Sequence, residues 1–260
     1  MINKEEINNV EIVKETTQKT TKIPIKGYTL FMIKTMTESL KIPHFIYGDE
    51  FLIEELIKIK ELLKEKKSMN LTYLPFFIKI ISKALEDFPI LNSSLDLDNQ
   101  SIILKGGLQK IIFHNISIAI DTPNGLAVPN IKNCQNKNIL EIASELNALK
   151  EKGVKAAFLP EDVSDGTFTL SNIGSIGGIF MSPIIFPPQV AIGAIGKIRR
   201  TPYSDDPEEE YIHESKRVVN ICWAADHRES ANKWGNNWNP KPTIIIIAEI
   251  IKCKKNLQRL

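Results

Sequence analysis

Two stretches of this sequence carry side chains that could do chemistry. One is Gly166-Thr-Phe-Thr-Leu-Ser-Asn-Ile-Gly-Ser-Ile-Gly-Gly178, where β-branched and aromatic residues run into a polar Ser171-Asn172 pair and a glycine-rich turn. A hydroxyl at a strand end can donate to developing negative charge, and glycines let a backbone come close to a ligand. The stretch is no P-loop, since no Gly-Lys-Ser/Thr follows, and its spacing differs from the GxGxxG that opens a dinucleotide-binding helix. By itself it fits a tight turn between strands better than a ligand loop. The other is Val218-Val-Asn-Ile-Cys-Trp-Ala-Ala-Asp-His-Arg228, an apolar strand that delivers an Asp-His-Arg triplet at its end. A lone histidine among charged residues is more often structural or solvated. Imidazole is nevertheless the side chain best suited to take a proton near neutral pH, so His227 is a candidate base.

The elements that must position these residues follow from hydrophobic spacing. Leu30, Ile33, Met36 and Leu40 recur at helical intervals over 28–40, Pro43 breaks that helix, and a strand is expected through Tyr47. A second amphipathic helix is expected over 51–66, with Leu52, Leu56, Ile59 and Leu63 on one face. A third follows Pro75, with Phe76, Phe77, Ile80, Ile81 and Leu85 on its apolar side. Residues 92–107 place turn residues around short apolar pieces. Residues 111–121 read as a strand ending at a Pro123-Asn124-Gly125 turn, and 138–150 as a helix with Ile139, Ile142, Leu146 and Leu149 inward. Strands are expected over 167–170, 190–198 and 217–223. Helices first and strands later, without regular βαβ alternation, predict an α/β two-layer sandwich with a mixed, largely antiparallel sheet.

Composition narrows the function classes. Lys and Arg outnumber Asp and Glu by only 33 to 31 in 260 residues, and the short basic runs at 64–67 and 252–255 fit solvated faces better than a nucleic-acid surface. Cys134, Cys222 and Cys253 form no CxxC pair, which argues against a disulfide scaffold or a zinc site and predicts no metal. The longest strongly apolar run, 243–251, is about half the ~20 residues a membrane helix needs. Residues 1–22 are polar and read as a flexible linker, with neither a secretory apolar core nor the pattern of a transit peptide.

Read together, the Ser171 and His227 stretches resemble the dihydrolipoyl acyltransferase family, the core enzymes of 2-oxoacid dehydrogenase complexes, which share the chloramphenicol acetyltransferase fold. Further matches are Lys34-Thr-Met36, Lys41-Ile-Pro-His-Phe45, Leu74-Pro-Phe-Phe77, Phe88-Pro-Ile-Leu-Asn92, Asp121-Thr122, Gly125-Leu-Ala-Val-Pro-Asn130 and Phe186-Pro-Pro-Gln-Val-Ala-Ile-Gly193. The match spans roughly 23–228, and Ser171-Asn-Ile-Gly-Ser-Ile-Gly-Gly178 is most similar to the branched-chain kind. The resemblance implies acyl transfer between a dihydrolipoyl arm and coenzyme A, with His227 as the thiol base and Ser171 as the oxyanion donor. It implies coenzyme A contacts at Lys60, Thr72, Asp121, Ser171, Asn172, Gly196 and Ile198. Lys60 stands for an arginine and Thr72 for a serine, and Lys150 falls where the family has glutamine. It further implies a homotrimer with its active site between subunits, assembled into a larger core and served by a lipoyl domain and dehydrogenase partner subunits. This chain has no lipoylation motif. The implied location is the mitochondrial matrix in a eukaryote and the cytoplasm otherwise.

The sequence departs from the family just after Arg228. Members place Asp or Asn four residues after the histidine and a glycine next; here Ala231 holds the first position and Asn232 the second. A catalytic domain is therefore expected over 23–230 and a divergent segment over 231–260. A deletion in an inactive paralogue, a splice variant and a mis-joined exon all fit this break, and its abruptness favours the last. The alternative function is a catalytically impaired structural subunit that keeps the trimer fold.

Overall fold

A computed structural model describes residues 24–67, 71–105, 113–204 and 214–230. The expected linker, Ala231, Asn232, Cys253 and the 243–251 run lie outside the described residues. In chain order, α1 (Gly27–Ser39) leads to β1 (His44–Leu52), α2 (Glu54–Lys67) and α3 (Leu74–Asp87). A hairpin of β2 (Ser93–Asp96) and β3 (Ser101–Leu104) precedes β4 (Ile116–Ile118), β5 (Ile120–Thr122), β6 (Gly125–Ala127) and β7 (Asn130–Ile131). Then come α4 (Ile139–Val154), the single turn α5 (Pro160–Val163), β8 (Phe168–Asn172), β9 (Ala191–Ile195), β10 (Arg199–Tyr203), β11 (Glu214–Asp226) and the turn α6 (His227–Ser230).

The main sheet runs β1-β11-β9-β8-β4-β7, with β10 also paired to β11. Pairing is antiparallel except for β4 with β8 and β8 with β9. Alternation along the strands sorts side chains onto two faces. Phe168, Leu170, Ala191, Ile195, Val219, Ile221 and Trp223 join α3 residues Phe76, Phe77, Ile78 and Ile81 and α4 residues Ile142 and Leu146 in one core. The fold is therefore a two-layer α/β sandwich, with helices packed on one face of a mixed sheet. α3 sits so deep that even Lys79 is buried, its Nζ donating to the carbonyls of Cys134 and Gln135 at 3.2 and 3.0 Å. α4 starts on a capping box: the Asn138 side chain accepts from the Leu140 and Glu141 amides, and Glu141 accepts from the Asn138 amide.

Several boundaries differ from those expected. The helix expected from residue 51 begins at Glu54, because Phe51 and Leu52 pair with Val219 and Val218 and finish β1. Helical spacing counted Leu52, whereas the β11 ladder claims its backbone. β11 is longer than 217–223 because β10 pairs its first half and β1 its second. β10 itself, Arg-Arg-Thr-Pro-Tyr, has no apolar alternation and exists through that pairing. The strand over 190–198 shortens to β9. The α1 spacing does give a helix, but Leu30 and Ile33 remain 40% and 45% exposed in the single chain.

Candidate active site

Ser171 and Asn172 are the last two residues of β8, which runs two residues past the 167–170 strand expected. Phe168 and Leu170 face the helices, so Thr169 and Ser171 face the opposite side of the sheet. Ser171 is half-buried, and its hydroxyl makes no hydrogen bond among the described residues. The glycine-rich turn that follows does not hold space open for a ligand. A Cβ on Gly174 would come within 2.5 Å of the Gly196 carbonyl oxygen, and one on Gly196 within 2.3 Å of the Ile179 carbonyl oxygen. Glycine is required at these positions so that the chain leaving β8 can lie directly on the end of β9. Gly177 differs: its Cβ would meet open space, but its φ of +126° favours glycine.

Most of the expected coenzyme A contacts gather at this end of the sheet. Asn172 pairs with Ile195, placing Gly196 beside it and Ile198 just beyond. The Ala119 amide bonds to the Leu170 carbonyl, so β5 departs from the same end and carries an exposed Asp121. Lys60 stands over the Tyr73 ring, 4.3 Å from its centroid, next to the exposed Thr72 at the start of α3. Arg217, which neighbours this group electrostatically through Tyr73, is held by Glu54 in contacts of 3.1 and 3.4 Å. The side-chain hydrogen bond from Arg217, helped by its backbone N–H, holds the Glu54 carboxyl below the usual carboxylate range. Lys150 is exposed on α4, whose Gly153 abuts Ile120 beside Asp121. Together the expected contacts offer two hydroxyls (Ser171 and Thr72), one amide (Asn172), one carboxylate (Asp121) and a cation (Lys60).

His227 is elsewhere. It follows β11 directly, exposed, with its amide bonded to the Pro43 carbonyl at 2.8 Å and its ring edge-on to Phe45, centroids 5.8 Å apart. Its neighbours Asp226 and Arg228 clasp each other: Arg228 Nε and Nη2 donate to the two carboxylate oxygens at 2.9 and 2.6 Å, and the Arg228 amide donates at 3.0 Å. Asp226 is 2% exposed, so this pair fixes the chain on both sides of the histidine. Sheet register then measures the gap. Ser171 stands opposite Ala194, and Ala194 opposite Cys222. His227 lies five residues past Cys222, which at strand spacing is about 17 Å along the sheet, besides the two strand steps across it. The residues expected for coenzyme A therefore come together with Ser171, and His227 does not join them within one chain. His44, which packs under the His227 end, stood in a matching stretch of sequence but carried no signal of a role.

A family model for the 2-oxoacid dehydrogenases acyltransferase catalytic domain matches residues 17–239. The chain belongs to that family. A lipoamide acyltransferase component of the branched-chain alpha-keto acid dehydrogenase complex, mitochondrial, from Caenorhabditis elegans is 49% identical over 226 residues, covering 83% of this chain and 48% of that protein. The chain thus spans about half the length of the curated relatives it matches. Among solved structures, the dihydrolipoamide acetyltransferase of Azotobacter vinelandii superposes with TM-score 0.78 and 25% identity over 92% of this chain and 94% of that one. Its catalytic mechanism was investigated through a serine, a histidine and an asparagine four residues after the histidine. The cubic core of the pyruvate dehydrogenase multienzyme complex gives TM-score 0.77 and 26% identity over 90% of each chain. Chloramphenicol acetyltransferase, at TM-score 0.52 and 12% identity over 92% of this chain and all of that one, shares the fold.

Proposed function

We propose that this chain moves an acyl group, branched-chain by its likeness to the Caenorhabditis elegans relative, between a dihydrolipoyl arm and coenzyme A. A thiol is mostly protonated at neutral pH and must lose its proton to attack a thioester. His227 takes that proton, the sulfur bonds to the thioester carbonyl carbon, and the carbonyl oxygen becomes an oxyanion. The Ser171 hydroxyl donates to that oxyanion; it does not itself attack. When the oxyanion collapses, the bond to the leaving sulfur breaks and the imidazolium returns its proton to that thiolate. Asp121, Asn172, Gly196 and Ile198 suit the coenzyme's polar arm, and Lys60 with Thr72 suits a phosphate.

The observation that carries this reading is the register gap between Ser171 and His227. Donor and base must both reach one carbonyl, so the site forms where the Ser171 end of one copy meets the His227 end of another. Mixing tests it directly. Ser171→Ala and His227→Ala proteins, each inactive alone, regain transfer from acyl-coenzyme A to dihydrolipoamide when unfolded together and refolded. Lack of recovery in mixed oligomers would refute a shared site.

The same reading assigns residues 1–22 to a linker, 23–230 to the catalytic domain and 231–260 to a divergent segment. It makes the assembly a homotrimer within a larger core, acting with a separate lipoyl domain and dehydrogenase subunits, in the mitochondrial matrix if the organism is eukaryotic. The apolar stripe left exposed on α1 is consistent with a neighbouring copy.

A further inference from the structure

The segment that leaves Ser171 and returns to β9 crosses the helix-free face of the sheet and is pinned at one residue. Ile185 is fully buried there, against Ile192 and Ala224. Both of its backbone groups are claimed by the link between α1 and β1. The Ser39 hydroxyl donates to the Ile185 carbonyl at 2.7 Å, and the Ile185 amide donates to His44 Nε2 at 2.9 Å. The other ring nitrogen, Nδ1, faces the Ile42 carbonyl at 2.7 Å. A carbonyl can only accept and an amide can only donate, so the ring is neutral, with its proton on Nδ1. His44 is also the strand partner of Asp226, and the residue before it, Pro43, accepts the His227 amide.

We infer that His44 is a positioning residue for His227. The Pro43–His44 step joins three things: the backbone of the candidate base, the carboxylate-bearing end of β11 and the segment that begins at Ser171. The ring's two bonds set where that step lies on the sheet, and the step sets where His227 stands. His44 touches no reacting atom. This inference rests on the acyltransferase reading of His227 and adds to it a device for holding the base.

Asparagine and glutamine separate the two ring nitrogens. His44→Asn keeps a donor for the Ile42 carbonyl and loses the acceptor for Ile185, whereas His44→Gln reaches Ile185 and loses the Nδ1 donor. The experiment reads hydrogen exchange at the Ile185 amide alongside steady-state transfer between acyl-coenzyme A and dihydrolipoamide. In His44→Asn, Ile185 exchanges at least about tenfold faster, kcat falls by about thirtyfold, and KM for coenzyme A stays within about threefold, because its contacts lie at the other end of the sheet. His44→Gln recovers most of the Ile185 protection and of the lost kcat. An Ile185 amide opened by His44→Asn with kcat unchanged overturns the inference, as does a KM for coenzyme A that rises as far as kcat falls. Should His44→Asn fail to fold, Ser39→Ala removes only the hydroxyl on the Ile185 carbonyl, and an unchanged kcat there is equally damaging. If His227→Ala transfers as fast as the unsubstituted protein, the acyltransferase reading itself fails, a result distinct from any of these.

Discussion

The two ends of the sheet are built differently. The Ser171 end is made of parallel strands finishing side by side, with backbone laid against backbone at Gly174 and Gly196. Its functional side chains are few, and the Ser171 hydroxyl is uncommitted among the described residues. At the His227 end, a long antiparallel ribbon of β1 and β11 is closed by the Asp226–Arg228 clasp, the His44 ring and the Pro43 backbone carbonyl. The first end leaves the proposed donor, Ser171, half-buried at a strand end, and the second holds the proposed base, the exposed His227, by its backbone. By strand count the two ends lie about 17 Å apart along the sheet, so on the proposed reading donor and base come from different copies.

The largest effects should come from removing the half-sites themselves. Ser171→Ala is expected to lower kcat by about 10²–10³ and His227→Ala by about 10²–10⁴, in steady-state acyl transfer. Equal losses in KM instead of kcat would show that these groups bind substrate without serving the transition state.

Next in size is a group outside both ends. His114 is fully buried in the helical layer, its Nδ1 bonded to the Ser82 hydroxyl at 2.9 Å and its Nε2 without a partner among the described residues. Burial pushes its pKa down to about 4. Its folded pKa lies below its unfolded one, so this stability is present above about pH 6.5 and is lost as pH falls toward 4. The whole contribution is about 3 kcal/mol. Urea midpoints should drop across that window and drop less in His114→Gln. If kcat at pH 7 fell as much as stability, His114 would belong to the site after all.

Gly196→Ala probes the backbone packing at the Ser171 end. Its methyl must displace the Ile179 carbonyl, costing about 2 kcal/mol of stability. KM for coenzyme A should rise with kcat nearly retained, whereas a loss confined to kcat would place Gly196 with the base. The smallest expected effect tests the break after Arg228. Ala231→Asn restores the amide four residues past His227 and should raise kcat about tenfold. A protein indifferent to it favours the impaired-subunit alternative.

Much of this was legible in the sequence. Apolar spacing marked α3 and α4, whose buried faces are the residues it selected, and β-branched runs marked β8, β9 and the centre of β11. Ser171, Asn172 and Asp121 could be named because they sit in short contiguous matches, and Lys60, Thr72, Gly196 and Ile198 were carried over by position relative to such matches. Phe51 and Leu52 could not be placed, since a two-residue difference between strand and helix depends on which partner claims the backbone. β10 was invisible for the same reason, and although the glycine-rich stretch read as a tight turn between strands, the carbonyls that require its glycines lie on other segments and could not be named.

The sequence by itself determined the sandwich and the family and supplied the candidates for donor and base, because periodicity and side-chain identity are local properties. Tertiary structure alone decided that Ser171 and His227 stand at opposite ends of one sheet, and that His44 bonds to Ile185 beside the Pro43 carbonyl that holds the His227 amide. Strand register links Ser171 to Cys222 through Ala194. The β1–β11 pairing and the His44–Ile185 bond join residues more than a hundred positions apart, and no local pattern encodes them.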